Sequence, residues 1–233
     1  MDTVWNRSAD STPALKPLAD LSCWRGKALA LYGGTWDPIH RGHLEIAREA
    51  AQEAGWDRLV MMVSGTPPHK RDRDMTPAED RLMMTRLAAE PYPELVVSDW
   101  EVRRESYAYT AETLTSLKAE FGIEKIDFLI GGDSLMYLEQ WYHAETILKE
   151  ARIFVAARAG SATRQQMQQH ARMLRRDFGA DIVLMKADGP ELSATAIREK
   201  LARRERPEGD VPEAVLKYME EKHLYGWAVM NHA

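Results

Sequence analysis

The sequence predicts an α/β protein, with one doubly wound parallel sheet in a single domain that ends in helices. Three observations lead to this prediction. Short apolar runs alternate with longer amphipathic stretches from Lys27 onwards. The apolar runs are rich in Val, Ile and Leu, which is typical of strands buried on both faces of a parallel sheet. A glycine-rich stretch follows the first run, at the kind of strand end where such sheets bind ligands.

Each apolar run predicts a strand and each amphipathic stretch after it a helix, because parallel strands need a crossover connection. The first half of the chain predicts three such units: strand KALALY with helix 42–54, strand RLVMMVSG with helix 77–90, and strand ELVVSDWEV with helix 110–121. The second half predicts strand KIDFLIGG with helical pieces at 134–150, strand RIFVAAR with helix 162–177, strand DIVLMK, and terminal helices at 194–205 and 212–222. No repeat of about 20 to 50 residues is present, which argues against solenoids and propellers.

Composition limits the class of protein further. The chain has 233 residues and a net charge of -5, whereas nucleic-acid binders usually carry an excess of Lys and Arg. No apolar run approaches the roughly 20 residues of a membrane-spanning helix. We therefore expect neither a nucleic acid nor a membrane as a partner.

The N-terminal residues 1–26 differ in composition from the rest of the chain. They mix Ser, Thr, Pro and Asp without a sustained period, which predicts a flexible leader or surface strap ahead of a domain over 27–233. The leader has neither the apolar core of a signal peptide nor the Arg-rich character of a transit peptide. Cys23 is the only cysteine, which fits a reducing compartment, so we expect a cytoplasmic protein.

The stretch LYGGTWDPIHRGH, residues 31–43, holds the strongest functional signal. Gly33 and Gly34 allow backbone N–H groups to approach an anion closely, and Thr35 adds a hydroxyl donor. His40 and His43 lie at the start of a helix whose positive end favours phosphate. Singly, a Gly-Gly pair is usually a turn and a lone His a surface or capping residue. The combination predicts a polyphosphate site, and it is neither a P-loop nor a GxGxxG loop.

This stretch resembles the HxGH signature of the nucleotidylyltransferase superfamily, and further motifs resemble the bacterial nicotinate-nucleotide adenylyltransferase family. Those motifs are PPHK at 67–70, RRESYAYTAETL at 103–114, GGDSL at 131–135, RAG at 158–160, LSATAIR at 192–198 and VPEAVLKYMEEKHLY at 211–225. The PPHK motif and a Trp-Tyr pair speak against phosphopantetheine adenylyltransferase, a shorter member of the superfamily that shares the first and last motifs.

The resemblance implies a Rossmann-like fold and a defined reaction. The adenylyl group of ATP would be transferred to nicotinate mononucleotide, which gives deamido-NAD and pyrophosphate. The expected partners are therefore ATP and nicotinate mononucleotide. Mg²⁺ is the expected cofactor, carried on the ATP phosphates rather than in a protein cage.

The resemblance also assigns roles to individual residues. The expected catalytic residues are His40, His43, Lys70 and Arg198. The expected ATP-binding residues are Gly33, Gly34, Thr35, Asp133, Ser193 and Thr195. The expected mononucleotide-binding residues are Thr110, Trp141, Tyr142 and Arg158. Asp37 is left out of these sets, because an Asx residue before proline commonly initiates a turn.

Several of these residues also have plainer explanations. Asp133 would serve almost equally well as the N-cap of a helix that begins near Ser134, and Thr110 as the N-cap of the third helix. For the remaining residues the plainer explanations are a solvated charge or ordinary burial: Lys70, Arg158, Arg198 and Trp141.

The chain departs from the family pattern at three positions. Trp36 stands where Phe is usual, Ala108 where the Ser of SYT is usual, and Ala194 where the second Ser of ISST is usual. The two alanines each remove a hydroxyl donor, which would weaken nucleotide binding by about 0.5–1.5 kcal/mol if that hydroxyl were used. Two alternatives stay open: a preference for nicotinamide mononucleotide, and a catalytically weak nucleotide-binding sensor.

Overall fold

The computed structural model describes residues 15–65, 75–104, 109–158 and 162–227. Within these residues six strands form one sheet: β1 (Ala28–Gly34), β2 (Leu59–Val63), β3 (Leu95–Ser98), β4 (Lys125–Gly131), β5 (Ala151–Arg158) and β6 (Ile182–Gly189). Every neighbouring pair is parallel, and the order across the sheet is β3-β2-β1-β4-β5-β6. This is the doubly wound order of a Rossmann-like sheet, so the predicted fold class is confirmed.

Helices connect these strands and close the described chain. They are α1 (Arg41–Ala54), α2 (Ala78–Ala89), α3 (Thr110–Phe121), α4 (Gly132–Leu135), α5 (Ala144–Glu150), α6 (Arg164–Phe178), α7 (Ala194–Ala202) and α8 (Glu213–Glu221). Among the described residues, short 3-10 turns cover Leu21–Trp24, Leu138–Gln140 and Leu224–Gly226. The predicted helices agree with these to within a few residues. In the part of the chain that the structure describes, no helix is both long and apolar enough to cross a bilayer.

The helices cover both faces of the sheet, because successive side chains of a strand point to opposite faces. On one face, Ala30 and Tyr32 of β1 belong to a core that includes side chains of α1, α2, α7 and α8. On the other face, Leu29 and Leu31 belong to a core that includes side chains of α3, α5 and α6. This two-sided burial explains why the strand sequences are continuous apolar runs rather than alternating ones.

The third strand is shorter than its sequence predicts. The apolar run ELVVSDWEV predicts a strand through residue 102, whereas β3 ends at Ser98. The Ser98 hydroxyl accepts a hydrogen bond from the N–H of Trp100 at 3.2 Å, and the N–H of Arg103 donates to the carbonyl of Asp99 at 3.0 Å. The chain therefore turns at the carboxyl end of the sheet, and this turn places Glu101 beside the end of β2.

The described part of the N-terminal segment, residues 15–26, packs against the edge of the sheet. The Nζ atom of Lys16 donates to three carbonyls at the C-terminal end of α2 and just beyond it: Ala89 at 2.8 Å, Tyr92 at 2.7 Å and Leu95 at 3.3 Å. The N–H of Ala19 donates to the carbonyl of Val97 in β3 at 2.8 Å, and Leu21 is buried. These contacts fit a surface strap, while residues 1–14 lie outside the described chain.

Candidate active site

The strand order reverses on the two sides of β1, and the crevice at the carboxyl ends of β1 and β4 is where doubly wound sheets bind ligands. A cavity of about 730 Å³ lies there. The structure brings six of the expected site residues to its lining: Gly33, Gly34, Thr35, Thr110, Trp141 and Tyr142. A smaller cavity of about 480 Å³ lies beside α1, away from these strand ends, and charged surface residues dominate its lining.

Gly34 is required by the aromatic side chain that follows it. Trp36 is buried and has a φ of 44°, so its backbone lies in the left-handed region that bulky residues rarely adopt. A Cβ at Gly34 would overlap the Trp36 indole, whereas one at Gly33 would meet only Phe128 at 3.6 Å, an ordinary contact. The indole also packs edge-on against Tyr32, with ring centroids 5.5 Å apart. Trp36 therefore shapes the backbone of the loop after β1.

The two histidines of this loop form one stacked pair at the start of α1. Their ring centroids are 3.6 Å apart and their planes differ by 22°. His40 is the N-cap of α1 and is 1% exposed, and a Cβ at Gly42 would stand 3.2 Å from its ring. The backbone N–H of His40 donates to Nδ1 of His43 at 3.3 Å. Because that nitrogen accepts, a neutral His43 carries its proton on Nε2, as a donor.

Arg198 reaches this loop from α7. Its Nη1 atom donates to the backbone carbonyl of Asp37, and its Nη2 atom donates to the hydroxyl of Thr195 at 3.1 Å. The Ser193 hydroxyl accepts from the N–H of Ala196 at 3.1 Å and so caps α7. Arg198 therefore lies at the loop between β1 and α1, residues 33–43, rather than on a purely solvated face; we call this segment the phosphate loop after its predicted ligand. In this structure Thr195 orients the guanidinium, and Ser193 begins the helix.

Three of the four expected mononucleotide residues, Thr110, Trp141 and Tyr142, line the same cavity. Thr110 is the first residue of α3, and Tyr109, not Thr110, occupies the N-cap position. Tyr109 packs against Tyr142, with ring centroids 4.3 Å apart, and Trp141 is half-buried beside them. Together these side chains give the cavity an aromatic wall next to a helix N-terminus.

Asp133 does not take the helix-capping role that was its alternative explanation. It is exposed and lies inside the four-residue α4, whose N-cap is Gly131, so the prediction that it caps this helix is wrong. The chain turns into the helix one residue earlier than the sequence suggests. Asp133 follows the carboxyl end of β4, where a ribose contact remains a prediction.

Three positions of the sequence prediction fall on residues or side chains that the structure does not describe. Lys70 and Ala108 lie outside the described residues, so their contributions remain predictions. Arg158 is the last residue of β5, and its backbone pairs with Gly189 of β6. Its side chain lies outside the described part, so its contact with phosphate also remains a prediction.

Arg81 is a residue of the site that the sequence reasoning missed. This α2 side chain is 0% exposed, and its guanidinium donates to carbonyls of the segments after β1 and β2 and before α2: Thr35 at 2.9 Å, Ser64 at 2.8 Å, Gly65 at 2.8 Å and Thr76 at 3.0 Å. Burial lowers the pKa of Arg81, and the negative charge of Asp37 opposes that shift. No local motif marks it, because its partners lie on other loops.

Glu101 is the second missed residue, and it lines the cavity directly. Its carboxylate accepts from the Thr113 hydroxyl at 2.6 Å and from the backbone N–H of Gly65. Burial raises the pKa of Glu101, and these two hydrogen bonds work in the opposite direction. The sequence placed Glu101 in a strand, which hid its position at the site.

Comparisons with known proteins agree with this geometry. A family model described as cytidylyltransferase-like matches residues 31–200. A Clostridium botulinum protein named as a probable nicotinate-nucleotide adenylyltransferase is 34% identical over 199 residues, covering 85% of this chain and 98% of the relative. A Neisseria meningitidis protein of the same name is 36% identical over 200 residues, with the same two coverages.

Solved structures show the same fold. The nicotinic acid mononucleotide adenylyltransferase of Plasmodium falciparum, complexed with NaAD, superposes with a TM-score of 0.70 at 16% identity, covering 86% of this chain and 98% of that one. The same protein complexed with APC gives a TM-score of 0.68 at 15% identity and the same coverages. The fold and the sequence relatives together identify the chain as a member of the nicotinate-nucleotide adenylyltransferase family, within the cytidylyltransferase-like proteins.

Proposed function

We propose that the protein transfers the adenylyl group of ATP to nicotinate mononucleotide, forming deamido-NAD and pyrophosphate. One observation carries the proposal: a single cavity of about 730 Å³ is lined both by the glycine loop after β1 and by the aromatic wall of Tyr109, Trp141 and Tyr142. A polyphosphate at the loop and a pyridine ring at that wall would lie next to each other. The names of the sequence relatives support the same reaction.

The chemistry needs no nucleophile from the protein. The phosphate of the mononucleotide attacks the α-phosphorus of ATP, the bond to the bridging oxygen breaks, and pyrophosphate leaves with that electron pair. The protein must bring two anions together and stabilise the charge on the transferring group. His43 donates from Nε2, since its Nδ1 accepts the N–H of His40 at 3.3 Å. Arg198 supplies positive charge at the loop, and the sequence predicts a further charge from Lys70, which lies outside the described residues.

Mg²⁺ fits the site when it arrives on the ATP phosphates. Asp37 is the carboxylate within the phosphate loop, and both of its oxygens already accept hydrogen bonds, from Tyr225 at 2.6 Å and from the Thr76 N–H at 3.4 Å. Among the described residues no group of three or more His, Cys, Asp or Glu side chains is placed to hold a metal ion. When bound, the ion would neutralise phosphate charge. We expect EDTA to stop turnover and added Mg²⁺ to restore it.

The expected choice of pyridine nucleotide follows from one charge. The first turn of α3 begins at Thr110, and its backbone N–H groups with the helix dipole favour a carboxylate over an uncharged carboxamide. A charge-assisted hydrogen bond contributes about 1.5–3 kcal/mol, so kcat/KM for nicotinate mononucleotide should be at least about 10-fold higher than for nicotinamide mononucleotide.

The free, exposed thiol of Cys23 fits the proposed cytoplasmic location.

Pyrophosphate release, measured with ATP and each mononucleotide in parallel, tests the proposal. Turnover with nicotinate mononucleotide and the stated preference would support it. Equal or reversed preference would contradict the carboxylate pocket and favour the nicotinamide alternative. ATP binding without pyrophosphate release from either mononucleotide would identify the sensor alternative instead.

A further inference from the structure

Asp37, in the phosphate loop, is held by residues that lie far from it in sequence. The hydroxyl of Tyr225 donates to its Oδ1 at 2.6 Å, and the N–H of Thr76 donates to its Oδ2 at 3.4 Å. Arg198 donates to its backbone carbonyl. Three segments that are distant in sequence therefore converge on one residue, three positions before His40.

The turn that delivers Tyr225 has an unusual backbone. Tyr225 has a φ of 57° and His223 a φ of 53°, both in the left-handed region that residues other than glycine rarely adopt. Such conformations persist only where the surrounding structure holds them, and they cluster at functional sites. Burial and the negative charge of Asp37 raise the pKa of Tyr225, so its hydroxyl keeps its proton at neutral pH and remains a donor.

The phosphate loop has a strained position of its own beside this contact. Trp36, directly before Asp37, has a φ of 44°. The loop then continues to His40, and the N–H of Arg41 donates to the carbonyl of Asp210 at 2.9 Å. The loop is thus pinned from the C-terminal half of the chain on both sides of His40.

We propose that Tyr225 is a positioning residue for adenylyl transfer: through Asp37 it fixes the loop that presents His40 and His43 to the ATP phosphates. This inference rests on the proposed function only in taking ATP as the ligand of the loop. Donors that stabilise a transferring phosphoryl group must be in place before the reaction, and small displacements reduce the rate strongly. Releasing the Asp37 carboxylate would allow such displacements.

The chain contains a matched control for the hydroxyl of Tyr225. Tyr218 donates to Oδ1 of Asp80 at the same distance, 2.6 Å, and both tyrosines are half-buried. Burial is the main cause of a raised pKa for Tyr218 as well. Its hydrogen bond joins α8 to α2 and does not involve the phosphate loop. Replacing each tyrosine by phenylalanine therefore removes the same chemical group from two different places.

The experiment compares Tyr225→Phe with Tyr218→Phe in the full chain. Calorimetry gives Kd for a non-hydrolysable ATP analogue, pyrophosphate release gives kcat and KM, and thermal unfolding gives Tm. We expect Tyr225→Phe to lower kcat/KM for ATP at least about 10-fold, which corresponds to about 1.4 kcal/mol. The same variant should bind the ATP analogue more weakly than wild type. Both variants should lower Tm by similar amounts, because each loses one tyrosine hydroxyl hydrogen bond. The kinetic constants of Tyr218→Phe should stay within about twofold of wild type.

A second variant tests whether Tyr225 acts through Asp37. Asp37→Asn keeps the shape of the side chain and weakens the hydrogen bond, so it should also reduce ATP affinity. The fold-loss of ATP affinity in the double variant should be smaller than the product of the fold-losses in the two single variants, because both changes disrupt one contact. If Tyr225→Phe does not fold, the effect of Asp37→Asn on the Kd of the analogue decides the question alone.

Two outcomes would overturn the inference. One is wild-type ATP affinity and kcat/KM in Tyr225→Phe, with a lowered Tm like that of Tyr218→Phe. The other is a fold-loss of ATP affinity in the double variant equal to the product of the two single fold-losses, which would show that the residues act independently. Failure of the wild-type protein to release pyrophosphate would instead count against the proposed function, and the analogue Kd would still test the contact.

Discussion

Replacing His43 by alanine is expected to lower kcat by about 10²-fold or more while the protein stays folded. We assign the proton of neutral His43 to Nε2, because Nδ1 accepts the N–H of His40 at 3.3 Å. Losing one preorganised donor to developing charge costs about 2.7–4 kcal/mol, or about 10²–10³ in rate. The variant also removes the acceptor of the His40 N–H, which costs about 1–3 kcal/mol of stability. At about 2–4 °C per kcal/mol, we expect a Tm lower by roughly 2–12 °C.

Pyrophosphate release at saturating ATP measures this kcat, and thermal unfolding measures the Tm. His170→Ala is the control, because Nε2 of His170 lies 2.9 Å from Oε2 of Glu139 and belongs to α6, outside the phosphate loop. That variant should lower Tm with a kcat within about twofold of wild type. A kcat near the wild-type value in His43→Ala, with the protein folded, would refute the donor role assigned to His43.

Three further predictions concern other parts of the molecule. Arg198→Lys keeps the charge but cannot reproduce both donor positions, so kcat/KM for ATP should fall at least about 10-fold; unchanged kinetics would contradict a role for Arg198 in ATP binding. Deleting residues 1–24 removes the contacts of Lys16 and Leu21, which contribute about 3–6 kcal/mol, and should lower Tm by roughly 6–24 °C. The folded truncated protein should keep its kcat, and a Tm equal to that of the full chain would show that the strap adds no stability. The raised pKa of Glu101 gives stability that is fully present below its ordinary value of 4.5 and is lost as pH rises. The stability of Glu101→Gln relative to wild type should therefore increase from pH 4.5 to 8, and a pH-independent difference in unfolding free energy would contradict this.

Most of the fold follows from local sequence patterns. The continuous apolar runs mark strands that are buried on both faces, and each amphipathic stretch is long enough for the crossover that a parallel sheet requires. The error at β3 has a local cause that the apolar pattern conceals. Trp100 and Val102 are apolar, but the Ser98 hydroxyl accepts the N–H of Trp100 at 3.2 Å and turns the chain after four strand residues.

The phosphate loop was also evident from sequence alone, because its chemistry depends on neighbouring residues. Gly33, Gly34, Thr35, His40 and His43 lie within one strand-to-helix connection, and such a connection places its donors together in any doubly wound sheet. The sequence therefore determined the fold class and brought the residues of the predicted polyphosphate site into one connection.

What holds that loop in place was decided only by the tertiary structure. Arg81 binds the carbonyl of Thr35 across 46 residues of sequence, and Tyr225 binds Asp37 across 188. Contacts of this kind depend on the strand order and on which helices pack on which face. Neither property leaves a periodic or local signal around the residues themselves, since a buried arginine and a solvated one have the same neighbours in sequence.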